Sequence, residues 1–447
     1  MATIAIPIET LVREFDGKLL LSCELASAGH KVLIGDRPKI RSNIGKSIFP
    51  DLYLSKEVWE IRNDEFSRWK NNGTSIAFLD AEGGVFSSEE SYLNRVNTST
   101  LKNIDLYLAW GENVADIVCE RTSLSREEIF VTGNPRFDLL HKNKRKIYSA
   151  NADELRSQFG KYLLMNTNFA AINHDDDSIL EKNIELFDLK NTDKRAQYES
   201  LLIDKFVKSA DKLSQLSGLD TVIIRPHPSE NFDFYKRKFE NNSSVLVKHS
   251  GDVRGWIMGS QVVLHNSCTT GIESALLNKP VIAFEPETRL EDDIRPPLPN
   301  AVSKSVTTVG ELINEVQNYL NGSEPYVLTD KQEEELRMFF ANFKKPATSK
   351  VVKKINHVVD DSTTSYPTPP LIQQAKNWIK QQPIAPIISK FKNTNSKQDR
   401  HRKQKFPGLS TDEVRSRLED FNQITETDEL TVTRINHLDD VFCIVMK

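Results

Sequence analysis

The segment 262–273, with the sequence VVLHNSCTTGIE, decides the fold of the second half of this 447-residue chain. An apolar strand pattern passes into a hydroxyl-rich stretch, and a helical pattern begins directly after it at Gly271. The N-terminus of such a helix offers N–H groups that no intrahelical bond uses, together with the positive end of its dipole. Small hydroxyl side chains add donors without blocking a phosphate. The segment therefore predicts a phosphate site, and its alternative is ordinary helix capping by Ser and Thr.

The segment 223–230, IIRPHPSE, ends a second apolar strand with an arginine and a histidine, each followed by proline. Proline pushes the residue before it into an extended conformation, so Arg225 and His227 are presented rigidly at the carboxyl end of the strand. A guanidinium and an imidazole at this place suit a phosphate or a leaving nucleotide. The alternative is a loop in which both side chains bind local backbone groups. Because the two segments share one α/β unit, we favour the functional interpretation.

The two segments and the end of a neighbouring strand together predict a donor-binding group. Glu273, in the first turn of the helix, is placed to accept hydrogen bonds from ribose hydroxyls, and Asn168 follows the first strand of the same unit. The predicted donor-binding residues are Arg225, Ser267, Thr269, Thr270, Gly271, Glu273 and Asn168, with His227 as a catalytic residue.

The segment 78–84, FLDAEGG, delivers two acids and a Gly-Gly turn to the end of a strand in the first half of the chain. Glycines let a substrate approach the backbone, and a carboxylate there can deprotonate an acceptor hydroxyl. We favour Glu82 over Asp80 as this base because it adjoins the glycines, although side-chain alternation can reverse that choice. The alternative is a solvated turn.

Weaker signals extend the predicted acceptor side to Arg13, Asp16, Gly83, Asn134 and Arg136. Asp16 has the alternative role of a helix cap. A His-Asp-Asp-Asp run at 174–177 is interpreted as a solvated loop, so the sequence predicts no metal site and no cofactor.

Short apolar runs alternate with helical patterns twice along the chain, which indicates two parallel sheets covered by helices. We predict an α/β protein with two Rossmann-like domains facing across a cleft, the architecture called GT-B, with a C-terminal extension. The predicted boundaries are 1–145 for an acceptor-side domain, 155–345 for a donor domain, 346–408 for a polar and basic linker, and 409–447 for a closing helix and strand.

Composition restricts location and partners. The net charge of −4 predicts no general affinity for nucleic acid. The sequence contains no apolar run of 18 residues, so it predicts no transmembrane helix. The first residues lack the pattern of a signal peptide, and the four cysteines are far apart without CxxC spacing. We therefore expect a cytoplasmic protein.

A basic run at 376–405 contains nine Lys or Arg residues and one Asp. Apolar residues interleave with these charges, as in segments that rest on an anionic membrane surface. The alternative is a basic linker that packs on the body. The first interpretation predicts a peripheral position at the inner face of the cytoplasmic membrane.

In the segments 78–84, 223–230 and 262–273, the chain resembles bacterial surface-carbohydrate biosynthesis proteins related to capsule β-Kdo transferases and (poly)sialyltransferases, and more distantly to teichoic-acid polymerases. The resemblance covers positions 1 to about 345. The HP motif of those families is matched by His227-Pro228, and their hydroxyl-rich motif by Ser267, Thr269 and Thr270. Sialyltransferases also have an acid-acid-Gly motif. The matching stretch here is 81–83, Ala-Glu-Gly, so the first acid is missing.

The resemblance implies a GT-B glycosyltransferase that uses a CMP-activated acid sugar, such as Kdo or another nonulosonic acid, as co-substrate without a metal. His227 would contact the departing CMP phosphate, Arg225 and the helix after Thr270 would stabilise its charge, and Glu82 would activate the acceptor if the enzyme inverts. The implied acceptor is a surface polysaccharide or a lipid-linked glycan. The alternatives are a teichoic-acid-type transferase using a CDP-alcohol, a GT-B-shaped sugar-nucleotide epimerase and a non-catalytic carbohydrate- or partner-binding protein.

Overall fold

The structure, a computed structural model, describes residues 1–175, 189–286, 296–322, 326–343, 345–361, 402–425 and 429–447. These residues divide into two compact units. The first contains Met1–Gly84, Glu89–Leu139 and Arg337–Lys447, and the second contains Val85–Ser88 and Leu140–Leu336.

Both units are built from short strands joined by helices. In chain order the strands are β1 (Thr3–Ile8), β2 (Lys31–Asp36), β3 (Leu52–Ser55), β4 (Ser75–Leu79), β5 (Leu106–Ala109), β6 (Ile129–Val131), β7 (Tyr162–Asn166), β8 (Thr221–Arg225), β9 (Val245–Val247), β10 (Val262–His265), β11 (Val281–Phe284), β12 (Lys304–Val306), β13 (Leu430–Arg434) and β14 (Val441–Met446). The helices are α1 (Leu11–Ser27), α2 (Arg37–Asn43), α3 (Asn63–Asn71), α4 (Glu89–Leu93), α5 (Thr98–Leu101), α6 (Glu112–Arg121), α7 (Pro135–Asp138), α8 (Ser149–Phe159), α9 (Leu189–Leu213), α10 (Phe232–Lys238), α11 (Val253–Gly259), α12 (Thr269–Leu276), α13 (Pro297–Ala301), α14 (Val309–Leu320), α15 (Asp330–Phe339), α16 (Ala347–Asp361) and α17 (Thr411–Thr425).

The described strands of the first unit form one sheet in the order β13-β14-β2-β1-β3-β4-β5-β6. Strands β1 to β6 are parallel to their neighbours, whereas β14 is antiparallel to β2 and β13 is antiparallel to β14. Most residues of the parallel strands are apolar and buried, as expected where helices cover both faces of a sheet.

The second unit contains a sheet of parallel strands in the order β12-β11-β10-β7-β8-β9. After β7 the chain adds β8 and β9 on one side, and it then returns to the other side with β10. The order therefore reverses between β7 and β10. Such a switch point opens a crevice at the carboxyl ends of the two strands, where ligands bind in this class of sheet.

The predicted α/β fold with two parallel sheets is confirmed, and the strands of the second unit lie where the sequence predicts them, except that β12 was not predicted. The short strand β3 of the first unit was also missed. It offers only the four residues LYLS, which are too few to show a period, and its buried position comes from pairing with β1 and β4.

The predicted closing helix and strand at 409–447 are present as α17 and β14, whereas the predicted linker begins with a helix. Residues Ala347–Asp361, placed in the predicted linker at 346–408, form the helix α16 of the first unit. The closing strand β14 pairs with β2, which would otherwise be a parallel edge with unpaired backbone groups. Gly35 makes this pairing possible, because a Cβ atom there would lie 2.1 Å from the carbonyl oxygen of Asp440.

The basic run at 376–405 falls mostly outside the described residues. Its described end carries two ion pairs of the first unit, from Arg402 to Asp36 at 2.5 Å and from Lys405 to Glu9 at 3.2 Å. These four residues include two acids at the carboxyl ends of β1 and β2, so the end of the run lies on the body of the protein.

A buried carboxylate anchors α16 to the first unit. Asp138, at the end of α7, accepts hydrogen bonds from the backbone N–H groups of Ala347 and Thr348 at 2.8 and 2.7 Å. The Thr348 hydroxyl and the Asn342 amide donate to the same carboxylate at 2.6 and 2.9 Å. It thus satisfies N–H groups at the beginning of a helix that the chain reaches about 200 residues later.

Asp138→Asn should lower the free energy of unfolding by about 2–4 kcal/mol, because one amide nitrogen would face donors that lose their buried acceptor. Urea unfolding at neutral pH measures this change. The matched control is Asp412→Asn, an exposed first-turn acid of α17, which should change stability little. Equal stability of the two variants would contradict the anchoring role.

Candidate functional site

Glu230 holds the loop that presents His227. Its side chain is completely buried and accepts hydrogen bonds from the His227 N–H at 2.8 Å, the Thr167 hydroxyl at 2.9 Å and the Tyr235 hydroxyl at 2.6 Å. The loop after β8 is therefore tied both to the end of β7 and to α10. Because one buried acid fixes these three elements, the position of His227 is set by the core of the unit.

The hydrogen bonds of His227 assign its tautomer. The ring is half-buried, and its Nδ1 atom accepts from the backbone N–H of Ser229 at 3.2 Å. An accepting Nδ1 places the proton of the neutral ring on Nε2. His227 can therefore donate a hydrogen bond through Nε2.

Arg225 has a different place from the one predicted. Its guanidinium donates to the carbonyl oxygens of Ser250 and Gly251 at 2.9 and 2.6 Å and lies over the Trp256 ring at 5.7 Å. Burial lowers the pKa of Arg225 to about 10, so the group remains charged at neutral pH. These contacts match the alternative interpretation, in which the side chain binds local backbone groups and fixes the loop after β9.

The turn from β10 into α12 is held in a strained conformation. Ser267 has a φ of 57°, a left-handed value that non-glycine residues rarely adopt and that costs about 1–3 kcal/mol. The amide of Asn300 donates to its hydroxyl at 2.9 Å and to Glu285 at 2.8 Å. Asn300 of α13, itself bound to Glu285 after β11, thus holds Ser267 at the point where the strand ends and the helix begins. Strain of this kind is found at ligand sites.

Asn168 and Asn266 join the two sides of the switch point. The side chain of Asn266 accepts from the N–H of Asn168 at 2.9 Å and donates to its carbonyl oxygen at 3.1 Å. The predicted residue Asn168 is therefore brought next to the Ser267 turn. Thr269 and Thr270 form the first turn of α12 in the same place.

Gly271 is needed for packing inside the unit. A Cβ atom at this position would lie 2.5 Å from the Nε2 atom of His265, whose ring is completely buried. That ring accepts from the Cys268 N–H at 3.3 Å and shares a hydrogen bond of 2.8 Å with Ser303. Burial lowers the pKa of His265 to about 3, so it stays neutral. Gly271 lets α12 begin close to the sheet.

Glu273 faces the interior and not the crevice. It is 2% exposed, and its carboxylate lies 3.5 Å from the guanidinium of the equally buried Arg254. Arg254 also binds Asp252 at 2.7 Å and the Tyr148 hydroxyl at 3.0 Å. The structure corrects the predicted role of Glu273 as a ribose ligand. Its predicted place in the first turn of the helix suggested an open site, but Glu273 is the fifth residue of α12 and its carboxylate lies against Arg254 of α11.

In the first unit, Glu82 is surrounded by arginines. It forms an ion pair with Arg13, and the Arg95 guanidinium donates to its carbonyl oxygen at 3.3 Å. Burial alone would raise the pKa of Glu82, but Arg13, Arg136 and Arg95 lower it below its ordinary value. The carboxylate is therefore ionised at neutral pH and, while it is paired with Arg13, is a weak base.

Asn134 and Arg136 line a cavity of about 50 Å³ in the same unit, as Arg13 does. Asn134 begins α7 and accepts from the Arg136 N–H at 3.0 Å. Lys18, Lys56 and Asp80 also line this cavity, and none of the three was predicted as an acceptor-side ligand. Four of the predicted residues, Arg13, Glu82, Asn134 and Arg136, are thus brought together.

Asp16 and Gly83 are explained by packing. Helix α1 begins at Leu11, so Asp16 lies inside it and is no helix cap; its carboxylate accepts two hydrogen bonds from Arg417 of α17, at 2.9 and 2.6 Å. A Cβ atom at Gly83 would lie 2.8 Å from the indole of Trp110. These contacts give both residues a structural role, and their predicted place on the acceptor side stays a prediction.

Two residues that hold the site were missed from the sequence. The sequence predicted no role for Glu230, in the segment 223–230, or for Asn266, between His265 and Ser267. The acid three residues after the histidine of the HP pair and the amide at a strand end were visible signals. Their partners, Thr167 and Asn168, lie far away along the chain, so only the fold reveals these bonds.

Within the described residues no three His, Cys, Asp or Glu side chains are grouped as metal ligands, and of the 174–177 run only the first two residues are described. None of the described helices has the length and apolar character needed to cross a membrane.

Comparison with solved structures shows similarity of fold to carbohydrate enzymes. The UDP-GlcNAc 2-epimerase of Methanocaldococcus jannaschii, solved with UDP-GlcNAc and UDP, is 12% identical with a TM-score of 0.50 over 79% of this chain and 99% of that chain. A putative UDP-N-acetylglucosamine 2-epimerase from Listeria monocytogenes is 12% identical with a TM-score of 0.51, over 83% and 98%. A variant of the wall teichoic acid polymerase TagF is 11% identical with a TM-score of 0.51, over 80% and 88%.

These similarities confirm the GT-B class of fold, and at such low identity they concern the fold alone. No protein-family model and no curated protein matches the chain.

The buried acid Glu230 gives a pH-dependent prediction. Burial raises its pKa from 4.5 to about 7, despite the hydrogen bonds that favour its charged form. Because the folded pKa is the higher one, the stability that this group contributes is full below about pH 4.5 and is lost as the pH rises through 7. We expect that loss to reach up to about 3 kcal/mol, and Glu230→Gln should remove it.

Urea unfolding of both proteins between pH 5 and pH 8 tests this expectation. Glu154→Gln, which changes an exposed acid of α8, is the control and should keep the pH dependence of the unaltered protein. The same pH dependence in Glu230→Gln would show that the carboxyl does not titrate in this range.

Proposed function

We propose that this chain is an enzyme that transfers a sugar from a nucleotide-activated donor to a hydroxyl group of a surface polysaccharide or glycolipid. The donor that we propose is a CMP-activated acid sugar such as Kdo or another nonulosonic acid. The observation that carries the proposal is the group of donors at the carboxyl ends of β7, β8 and β10. There His227 and the strained Ser267 turn accompany the beginning of α12.

In the proposed reaction, the bond between the anomeric carbon and the phosphate oxygen of the donor breaks and CMP leaves. The leaving phosphate gains negative charge, and the Nε2–H of His227 donates to it. The first turn of α12 stabilises the same charge through its dipole and N–H groups. Arg225 contributes by holding the loop after β9 and, in view of its contacts, not as a direct ligand.

On the acceptor side, we propose that Glu82 accepts the proton of the attacking hydroxyl. Its pairing with Arg13 keeps it ionised but lowers its basicity. An acceptor that carries a negative charge would draw Arg13 away from Glu82 and so raise the basicity of the carboxylate at the moment of binding. This order of events suits an acceptor with a phosphate or carboxylate next to its reacting hydroxyl.

A second candidate is a CDP-alcohol-dependent transferase of the teichoic-acid type. It is favoured by the similarity of fold to a wall teichoic acid polymerase, which spans 80% of this chain. The same histidine and helix would then stabilise CMP as it leaves from the phosphate that is transferred. The similarity to UDP-GlcNAc 2-epimerases makes UDP-GlcNAc a further substrate to test.

Hydrolysis of the donor in the absence of acceptor separates these candidates. We expect release of CMP from CMP-Kdo or CMP-sialic acid, and little reaction with CDP-glycerol or UDP-GlcNAc, measured by chromatography of the nucleotide products. Release of CMP from CDP-glycerol alone would favour the second candidate. No reaction or binding with any cytidine nucleotide would overturn both.

His227→Ala should lower kcat of the accepted substrate about 10²–10³-fold, because the leaving phosphate loses its donor. The matched control is His249→Ala. This histidine follows the next strand of the same unit but stacks on Phe232, with ring centroids 4.7 Å apart, and should matter little for kcat. An equal loss in both variants would indicate a general disturbance of the unit.

We also propose that the basic run contacts an anionic membrane that carries the acceptor. Because α16 and β14 belong to the first unit, truncation after Pro346 would remove part of that unit. Replacement of Lys376, Lys380, Lys390 and Lys392 by glutamine changes none of the described residues of that unit. It should reduce co-sedimentation with phosphatidylglycerol vesicles but not with phosphatidylcholine vesicles, and unchanged co-sedimentation would refute the contact.

A further inference from the structure

Two buried polar atoms at the switch point of the second unit have no hydrogen-bond partner among the described residues. They are the Nδ2 atom of Asn166, the last residue of β7, and the hydroxyl oxygen of Thr270 in the first turn of α12. Asn166 is only 3% exposed. A buried polar atom without a partner destabilises the folded protein, so its presence requires an explanation such as an unseen ligand or water.

The register of the sheet places Asn166 on the side of α12. Asn166 pairs with His265 of β10 on one side and with Arg225 of β8 on the other. Side chains of paired residues in neighbouring strands point to the same face of a sheet. Since the ring of His265 lies directly against Gly271 of α12, Asn166 also points to the face on which α12 begins.

The side chains that flank Asn166 make their hydrogen bonds elsewhere. His265 binds Cys268 and Ser303, and Arg225 donates to the carbonyl oxygens of the loop after β9. Neither of these interactions includes the Asn166 amide. The Asn166 amide, at the end of β7, and the Thr270 hydroxyl, in the first turn of α12, are therefore hydrogen-bond donors at the end of the sheet where the strained Ser267 turn leads into α12.

We infer that Asn166 and Thr270 bind a phosphate oxygen of the nucleotide donor at the N-terminus of α12. The inference rests on the proposed function. It adds Asn166, which has no sequence signal, to the donor site and gives the predicted donor-binding residue Thr270 a specific partner. An amide N–H, a hydroxyl and helix N–H groups are donors, and the partner that matches such a set is an oxyanion. The bound phosphate would give both buried atoms the partner that they lack in the ligand-free protein.

The test compares nucleoside monophosphates with nucleosides. Affinities of CMP, cytidine, UMP and uridine are measured by calorimetry for the unaltered protein and for Thr270→Val, which removes the hydroxyl at almost equal volume. We expect the variant to bind the preferred monophosphate about tenfold or more weakly and to bind the nucleoside unchanged. Its ligand-free melting temperature should not fall, because the lost hydroxyl had no partner. Asn166→Leu should also weaken binding of the monophosphate. If Asn166→Leu does not fold, the result for Thr270→Val decides alone.

Thr221→Val is the matched control. Its hydroxyl donates to the Phe159 carbonyl oxygen at 3.0 Å, at the amino end of β8. This variant should melt at a lower temperature and keep its affinity for the monophosphate, the reverse of the result for Thr270→Val.

Three outcomes separate the inference from the function on which it rests. In the first outcome, Thr270→Val binds the monophosphate as tightly as the unaltered protein does but melts at a lower temperature. The two atoms would then hold a buried water only, which would overturn the inference while the proposed function stands. If no nucleotide binds, the proposed function fails. Inorganic phosphate is then the probe, and a rise in melting temperature that is lost in Thr270→Val supports the oxyanion site, whereas no rise overturns it.

Discussion

Parallel pairing of β7 with β10 is the constraint on which the second unit depends. The chain leaves these two strands toward opposite sides of the sheet, and a switch point of this kind opens a crevice at the carboxyl ends of its strands. Asn266 joins the two strand ends through the backbone of Asn168, and the left-handed Ser267 turns the chain directly into α12. The candidate donor site is therefore a consequence of strand order, to which the side chains add specificity.

The two units use charge differently. In the second, the buried Arg254 is paired with Glu273 inside the core, and the described donors at the crevice include the uncharged side chains of Ser267, Asn168 and Thr270. In the first, the carboxyl ends of the strands carry paired acids and bases, among them Glu82 with Arg13. Neutral donors and a helix N-terminus can bind a phosphate without cancelling its whole charge. An ion pair such as Glu82 with Arg13 suits a charged substrate that takes the place of one member of the pair.

The comparison of sequence with structure is most instructive where residue type predicted a ligand. Arg225 and Glu273 have the chemistry of nucleotide ligands and stand next to the site, yet both are used by the core. Asp16 likewise binds Arg417, which is about 400 residues away in the chain. A local pattern shows which groups lie near a strand end, but it does not show whether a distant residue already satisfies them. Glu230 illustrates the converse, because its role depends on Thr167 and Tyr235.

The sequence by itself determined the α/β fold, most strand positions and the location of His227, Ser267 and the threonines at strand ends. Apolar periodicity, and the proline or hydroxyl residues that follow a strand, are local properties of the chain and can be recognised in a short segment. Tertiary structure alone decided that β14 completes the first sheet and that Glu230 fixes His227. It also decided that the amide nitrogen of Asn166 and the hydroxyl of Thr270 are buried without a hydrogen-bond partner among the described residues. These features depend on pairing between distant segments. That pairing is set by burial and register across the whole fold, which no window of sequence contains.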